Sequence, residues 1–177
     1  MLDHEALAAH YLKILEEQLE LRDISYNKMS AEIQLTDVED EGLQPVFGLR
    51  VSTDDSSAGD EEGWLTAAIA LAVDIRVDRG IVSSEVVGTY RFPASFINDV
   101  NPIGLVAFAN DQAIATLLPY LRETVQTLAS RVLRAQLIMP HFAKGELIFP
   151  LPPEDEMEKM GYIQSEGGYI NPLKQAE

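Results

Sequence analysis

Three histidines, His4, His10 and His141, are the residues in this 177-residue chain best suited to hold a metal or move a proton. His4 and His10 lie six apart, on opposite sides of any helix that carries both, and His141 is remote in sequence. That spacing predicts no metal site. Carboxylates gather instead in two segments: Asp37, Glu39, Asp40 and Glu41, then Asp54, Asp55, Asp60, Glu61 and Glu62. Neither has the D-x-[DN]-x-[DN]-G spacing and terminal Glu of a calcium loop, so both read as solvated charge. Glu123 beside Arg122 could form half of an acid–base pair, but on an amphipathic helix such residues face water. The chain has no G-x-S-x-G, P-loop or G-x-G-x-x-G motif. With no cysteine, disulfides and thiolate metal sites are excluded, which fits a reducing compartment. The expectation is a protein that is not an enzyme and needs no cofactor.

Charge narrows the partners. There are 29 acidic and 13 basic residues, a net charge of −16. Phosphate backbones and anionic membranes need clustered Lys and Arg, so nucleic acid and membrane surfaces are disfavoured. No apolar run approaches the roughly 20 residues that span a bilayer, and the first residues lack signal-peptide character. A soluble, cytoplasmic protein is expected.

The elements follow from periodicity. Residues 3 to 21 read as a helix with Asp3 as N-cap and Leu7, Tyr11, Ile14, Leu15 and Leu19 as its apolar stripe. From Arg22 to Leu35 the period becomes 2 but changes parity, which predicts a bulge near Asn27 to Lys28 or a change of partner. Phe47, Leu49 and Val51 alternate in a second strand. Trp64 to Asp78 is the clearest strand, and a turn at Asp78, Arg79 and Gly80 leads straight into Ile81 to Phe92 as a hairpin. Ala68, Ala70 and Ala72 on the polar side of the third strand imply close approach by something, a second subunit or a covering loop. Asn101-Pro102 starts a short helix to about Phe108. The main helix follows, with Ile114, Leu117, Leu118, Leu121, Val125, Leu128 and Val132 on one stripe, and Pro119 either kinks it or begins a new one. Residues 1–150 form the folded body on this reading, and 151–177 a polar tail that includes a short helix. Phe47, Trp64, Phe92, Phe96, Phe142 and Phe149 sit near strand ends or irregular segments, where they either cap the core or line a groove.

Several stretches, in order, resemble the SecB family of export chaperones, and especially its SecB-like branch, some of whose members serve toxin–antitoxin systems. They are Arg22-Asp23-Ile24-Ser25-Tyr26, Pro45 with Leu49-Arg50-Val51-Ser52-Thr53, Glu85-Val86, Pro119-Tyr120-Leu121-Arg122-Glu123, and Leu137 to Phe142. The resemblance implies an α+β fold, a four-stranded antiparallel sheet with helices packed on one face, assembled as a homotetramer (a dimer of dimers). It also implies an ATP-independent holdase that grips unfolded or partly folded polypeptide, or an antitoxin client, in apolar grooves. Small apolar burials of roughly 25 cal/mol per Å² add along an extended chain, so no single client motif is needed. Phe47, Trp64, Phe92, Phe96 and Phe142 are groove candidates from aromatic placement alone.

In the export chaperone the outer sheet face docks the SecA motor, and Asp23 and Glu85 occupy two such positions. Asn27 and Ser83 depart from the pattern there, and Arg50 reverses a charge. The Gly-Phe-Pro-Pro feature after the main helix is missing, and the helix at 3 to 21 is more like the SecB-like branch. Binding of non-native protein is therefore a firmer expectation than delivery to SecA. A small-ligand-binding domain and an acidic inhibitor of a basic protein are the competing readings.

Overall fold

Alternation of apolar and polar residues places four long strands edge to edge. A computed structural model of the chain describes residues 3–34, 44–54, 63–77, 79–165 and 167–172. Apart from their ends, the two acidic segments lie outside the described residues. Strands β1 (Glu20–Ile33), β2 (Gln44–Asp54), β3 (Trp64–Val77) and β4 (Gly80–Pro93) form one antiparallel sheet in the order β1-β4-β3-β2. The helices pack on one face, so the fold is the α+β arrangement the resemblance implied. Val77 pairs with Gly80, which leaves a two-residue hairpin loop. Strand β1 pairs with β4 throughout. Its register slips between Tyr26 and Lys28, so the change of parity is a bulge at Asn27 and not a change of partner.

Helix α1 (His4–Gln18) begins where Asp3 accepts hydrogen bonds from the amides of Glu5 and Ala6. It is shorter than its periodicity predicts. Leu19 already has extended geometry, and Glu20 pairs with Arg91 in the sheet. Helix α2 (Pro102–Phe108) is capped by the buried Asn101, which accepts from the Gly104 amide and donates to the Asn98 carbonyl. α1 crosses α2 at Gly104, where a Cβ would meet the Tyr11 Cβ at 3.0 Å. That is tighter than an ordinary Cβ contact, so any larger residue would push the two helices apart by a few tenths of an ångström.

From Pro102 to Leu133 the backbone is one rod. Helix α3 (Ile114–Leu128) is flanked by π turns at Ala109–Ala113 and Ala129–Leu133. Pro119 lies inside α3 and starts no new helix. It leaves the Ala115 carbonyl without its intrahelical donor, and both residues are exposed, where water replaces the bond. The second π turn adds a residue to the winding and shifts the phase of the last turn. Ala129 and Leu133 therefore point inward, while Val132, expected on the apolar stripe, is 39% exposed. Leu117, Leu121 and Val125 complete the core against Ile69, Leu71, Val73, Val82 and Val86.

Residues 154–170 are more than a polar tail. Helix α4 (Glu154–Lys159) and the hairpin of β5 (Ile163–Ser165) and β6 (Gly168–Ile170) bury Met157, Tyr162 and Tyr169. The Tyr169 amide donates to the Tyr11 hydroxyl at 3.1 Å. His4 closes the same joint: its Nδ1 lies 3.1 Å from the Pro152 carbonyl, and its Nε2 lies 3.0 Å from the Tyr169 hydroxyl. Composition misses this because the polar residues face water while every few positions one large apolar side chain turns in.

Candidate functional site

Two facts about the sheet decide what it can bind. Both outer strands lack a strand partner on their free side among the described residues, and each carries an apolar row on the helix-covered face. Unpaired N–H and C=O groups along such an edge can accept an added strand.

Along β1 that row is open. Leu21, Tyr26, Met29 and Ile33 lie opposite Tyr90, Val86, Ser84 and Gly80, so they face the helix layer, yet all four are exposed. The rod touches both β4 and β1, yet most β1 side chains stay exposed, as do Tyr120 and Val132 on the rod itself.

Along β2 the row is covered. Phe47, Leu49 and Val51 pair with Val73, Leu71 and Ile69 and are partly buried. An irregular strap, residues 137–151, meets the row at Phe47, while helix α2 also touches β2 and its Leu105 lies near Val51. The Phe142 ring meets Phe47 edge-on at 5.4 Å between centroids. At the other end of β2 a cleft of about 180 Å³ is lined by Val51, Thr53, Leu105, Met160 and Tyr162, among others. It is small beside the roughly 300–1,000 Å³ of typical ligand pockets.

The aromatic candidates do not act together. The structure brings Phe47 and Phe142 into contact but removes Phe92, which is 0% exposed and belongs to the core between sheet and helices. Trp64 lies on the opposite face of the sheet, where Arg91 stacks 4.5 Å from its ring and pairs with Glu20 at 2.6 Å. Phe96 falls in a 3₁₀ turn and is partly buried against the core. Strand parity could have separated Trp64 from Phe92, since they belong to opposite faces of paired strands. Asn110 and Ile148 carried no signal, and Arg122 was read as a water-facing residue although it donates to the Pro140 carbonyl, because these roles depend on the path of the strap.

Asp23 and Glu85 do share the outer face, Asp23 opposite Thr89 and Glu85 opposite Ala72. Asp23 is exposed. The Glu85 carboxylate is engaged by Arg50 at 2.6 Å and by Asn27 at 3.0 Å. Arg50 starts two strands away, and it crosses β3 where Ala70 and Ala72 offer no obstruction. The close approach implied by the alanines is thus made by a side chain of the same molecule. Asp74 and Ser83 form a further hydrogen bond on this face.

Among the described residues no three His, Cys, Asp or Glu side chains gather as a metal site, and no helix is long and apolar enough to cross a membrane. The Asp155–Lys159 pair lowers the Asp155 carboxyl and raises the Lys159 ammonium on the surface of α4, and burial shifts three further groups. Desolvation pushes the Tyr90 hydroxyl up to about 12 and raises Tyr169, and it raises Asp99 against an opposing pull from His10. None lines the β2 row.

No protein-family model matches the chain, and no curated protein matches it. Among solved structures, it is similar to the Mycobacterium tuberculosis Rv1957 SecB-like chaperone in complex with a ChAD peptide from the Rv1956 HigA1 antitoxin. That likeness has a TM-score of 0.58 at 19% identity, covering 81% of this chain and 100% of the other. A protein of unknown function from Streptococcus agalactiae aligns at a TM-score of 0.47 and 13% identity, over 70% of this chain and 98% of that one. The first likeness establishes a SecB-like fold.

Proposed function

We propose that this chain is an ATP-independent holdase of the SecB family that grips non-native polypeptide along the free edge of β2. The observation that carries the reading is that edge itself. It is an 11-residue strand, unpaired on one side among the described residues, with Phe47, Leu49 and Val51 in an apolar row beside it. An extended client would add main-chain hydrogen bonds to the edge and place alternate side chains against the row. The neighbouring fold was solved with an antitoxin peptide, and that supports a peptide client, an antitoxin among them.

The exposed row on β1 suits a second copy of the chain. Assembly through Leu21, Tyr26, Met29 and Ile33 is the first step to a homotetramer, with the client edges left free. On this reading residues 1–150 are the SecB-like body, residues 151–177 are a separate tail that Pro152 and Tyr169 tie to α1, and the protein works in the cytoplasm. A SecA-type contact through Asp23 and Glu85 has less support, since Glu85 is already engaged by Arg50 and Asn27.

The test is suppression of aggregation. At stoichiometric excess and without nucleotide, the protein should slow aggregation of a chemically unfolded reporter. Unchanged aggregation ends the holdase reading.

A further inference from the structure

The strap over β2 is built unlike any other covering element in the molecule. Its side chains alternate as a strand's would: Leu137 and Met139 are buried and Ile138 and Pro140 exposed, then Leu147, Phe149 and Leu151 turn in while Ile148 and Pro150 turn out. Yet it joins no ladder. Prolines at 140, 150, 152 and 153 lack the N–H that a ladder needs.

Side chains hold its backbone instead. Asn110, in the first π turn of the rod, donates from Nδ2 to the Phe149 carbonyl and accepts from the Phe149 amide at Oδ1, both at 2.9 Å. One carboxamide thus makes the pair of bonds that a neighbouring strand would make. Arg122 donates to the Pro140 carbonyl at 3.3 Å, and an exposed Lys144–Asp111 pair adds a third tie. Phe142 seats its ring on Phe47 in the β2 row, and after α4 the chain lines the cleft by Val51 and Thr53 with Met160 and Tyr162.

An extended apolar segment, held through its main chain and seated by one ring on the β2 row, occupies part of the place an extended client would take. Resting on the holdase reading above, we infer that the strap is an intramolecular stand-in for the client, clamped by Asn110 and by Phe142 on Phe47, and that a client must displace it to reach the β2 row. Ile138, 68% exposed, and Ile148, 62% exposed, leave apolar handles on its outer side from which displacement can begin.

The experiment uses the full chain and reduced, carboxymethylated α-lactalbumin as a permanently unfolded probe. Hydrogen exchange of the wild-type protein should show amides in 44–54 slowing when the probe binds, while those in 147–151 speed up. Strap amides that stay equally protected, or gain protection, overturn the proposal. Asn110→Ala should speed strap exchange without probe and tighten probe binding about 5- to 30-fold, the effect of losing one or two weak ties. Unchanged strap exchange in this variant overturns the clamp, and faster exchange without tighter binding overturns the displacement. If wild type and variant bind equally, only the gate falls; if neither binds, the holdase reading falls and the gate with it. Should the variant fail to fold, the wild-type exchange result decides alone.

Discussion

Met29 is the place to break the assembly without breaking the fold. Its side chain is 55% exposed on β1, opposite Ser84, so roughly half of its apolar surface remains for a partner to cover. Full burial of such a side chain contributes about 1.5–3 kcal/mol, so the exposed half contributes about 1–1.5 kcal/mol. A two-fold interface holds Met29 twice, which makes about 2–3 kcal/mol per dimer. At 1.4 kcal/mol per decade this weakens association about 30- to 100-fold. Met29→Asp also requires two carboxylates to leave water, which costs several kcal/mol more. The folded monomer should lose no more than about 1 kcal/mol, because the site is mostly exposed. Sedimentation velocity from nanomolar to tens of micromolar should show the wild type as an oligomer and the variant as a monomer, with unchanged circular dichroism. Val46→Asp, on the outer face of β2 and 66% exposed, should leave the mass alone. A monomeric wild type, or an M29D variant of wild-type mass at every concentration, would refute the assignment of β1 to self-association.

Other outcomes follow from the same geometry. Leu49→Ala should weaken client affinity by as much as about 50-fold, from three carbons at about 0.8 kcal/mol each. Val46→Ala, on the other face of the same strand, should not; equal effects in an anisotropy titration would deny the inward row its role. Gly168→Ala places a Cβ 2.0 Å from the Tyr11 hydroxyl at a φ of +145°, so backbone strain and loss of the Tyr11–Tyr169 bond should cost about 2–4 kcal/mol. Urea denaturation should show that loss, with new proteolysis after residue 153. Tyr90 should titrate at about 12 against an ordinary 10. Between those values the folded state holds a proton the unfolded state has lost, so stability should fall as pH rises from about 10 to 12. Tyr90→Phe should remove that slope, and an unchanged 295 nm titration curve would contradict its burial.

Much of the frame was legible without coordinates. The alternation from Trp64 to Val77, the Asp3 and Asn101 caps and the slip at Asn27 are local patterns, and local patterns set strand count, helix starts and bulges. The resemblance added the arrangement of those elements. Side-chain destinations were less legible. Phe92 and Phe142 look alike in sequence, yet one is sealed by the rod and the other rests on Phe47. Val132 obeyed the helical period until a π turn shifted its phase. The polar run after Glu154 hid three inward residues, among them Tyr169, bonded to Tyr11 of α1, and Tyr162, set beside β2 and α2.

By itself the sequence determined the chemistry that is possible: a strongly acidic chain without cysteine or catalytic motif, with two long alternating strands that end up at the margins of one sheet. Only the tertiary structure decided which margin stays bare and which is covered. Exposure depends on where the rod and the strap lie, and those positions come from long-range contacts such as Asn110 with Phe149 and Tyr11 with Tyr169, which leave no periodic trace in the chain.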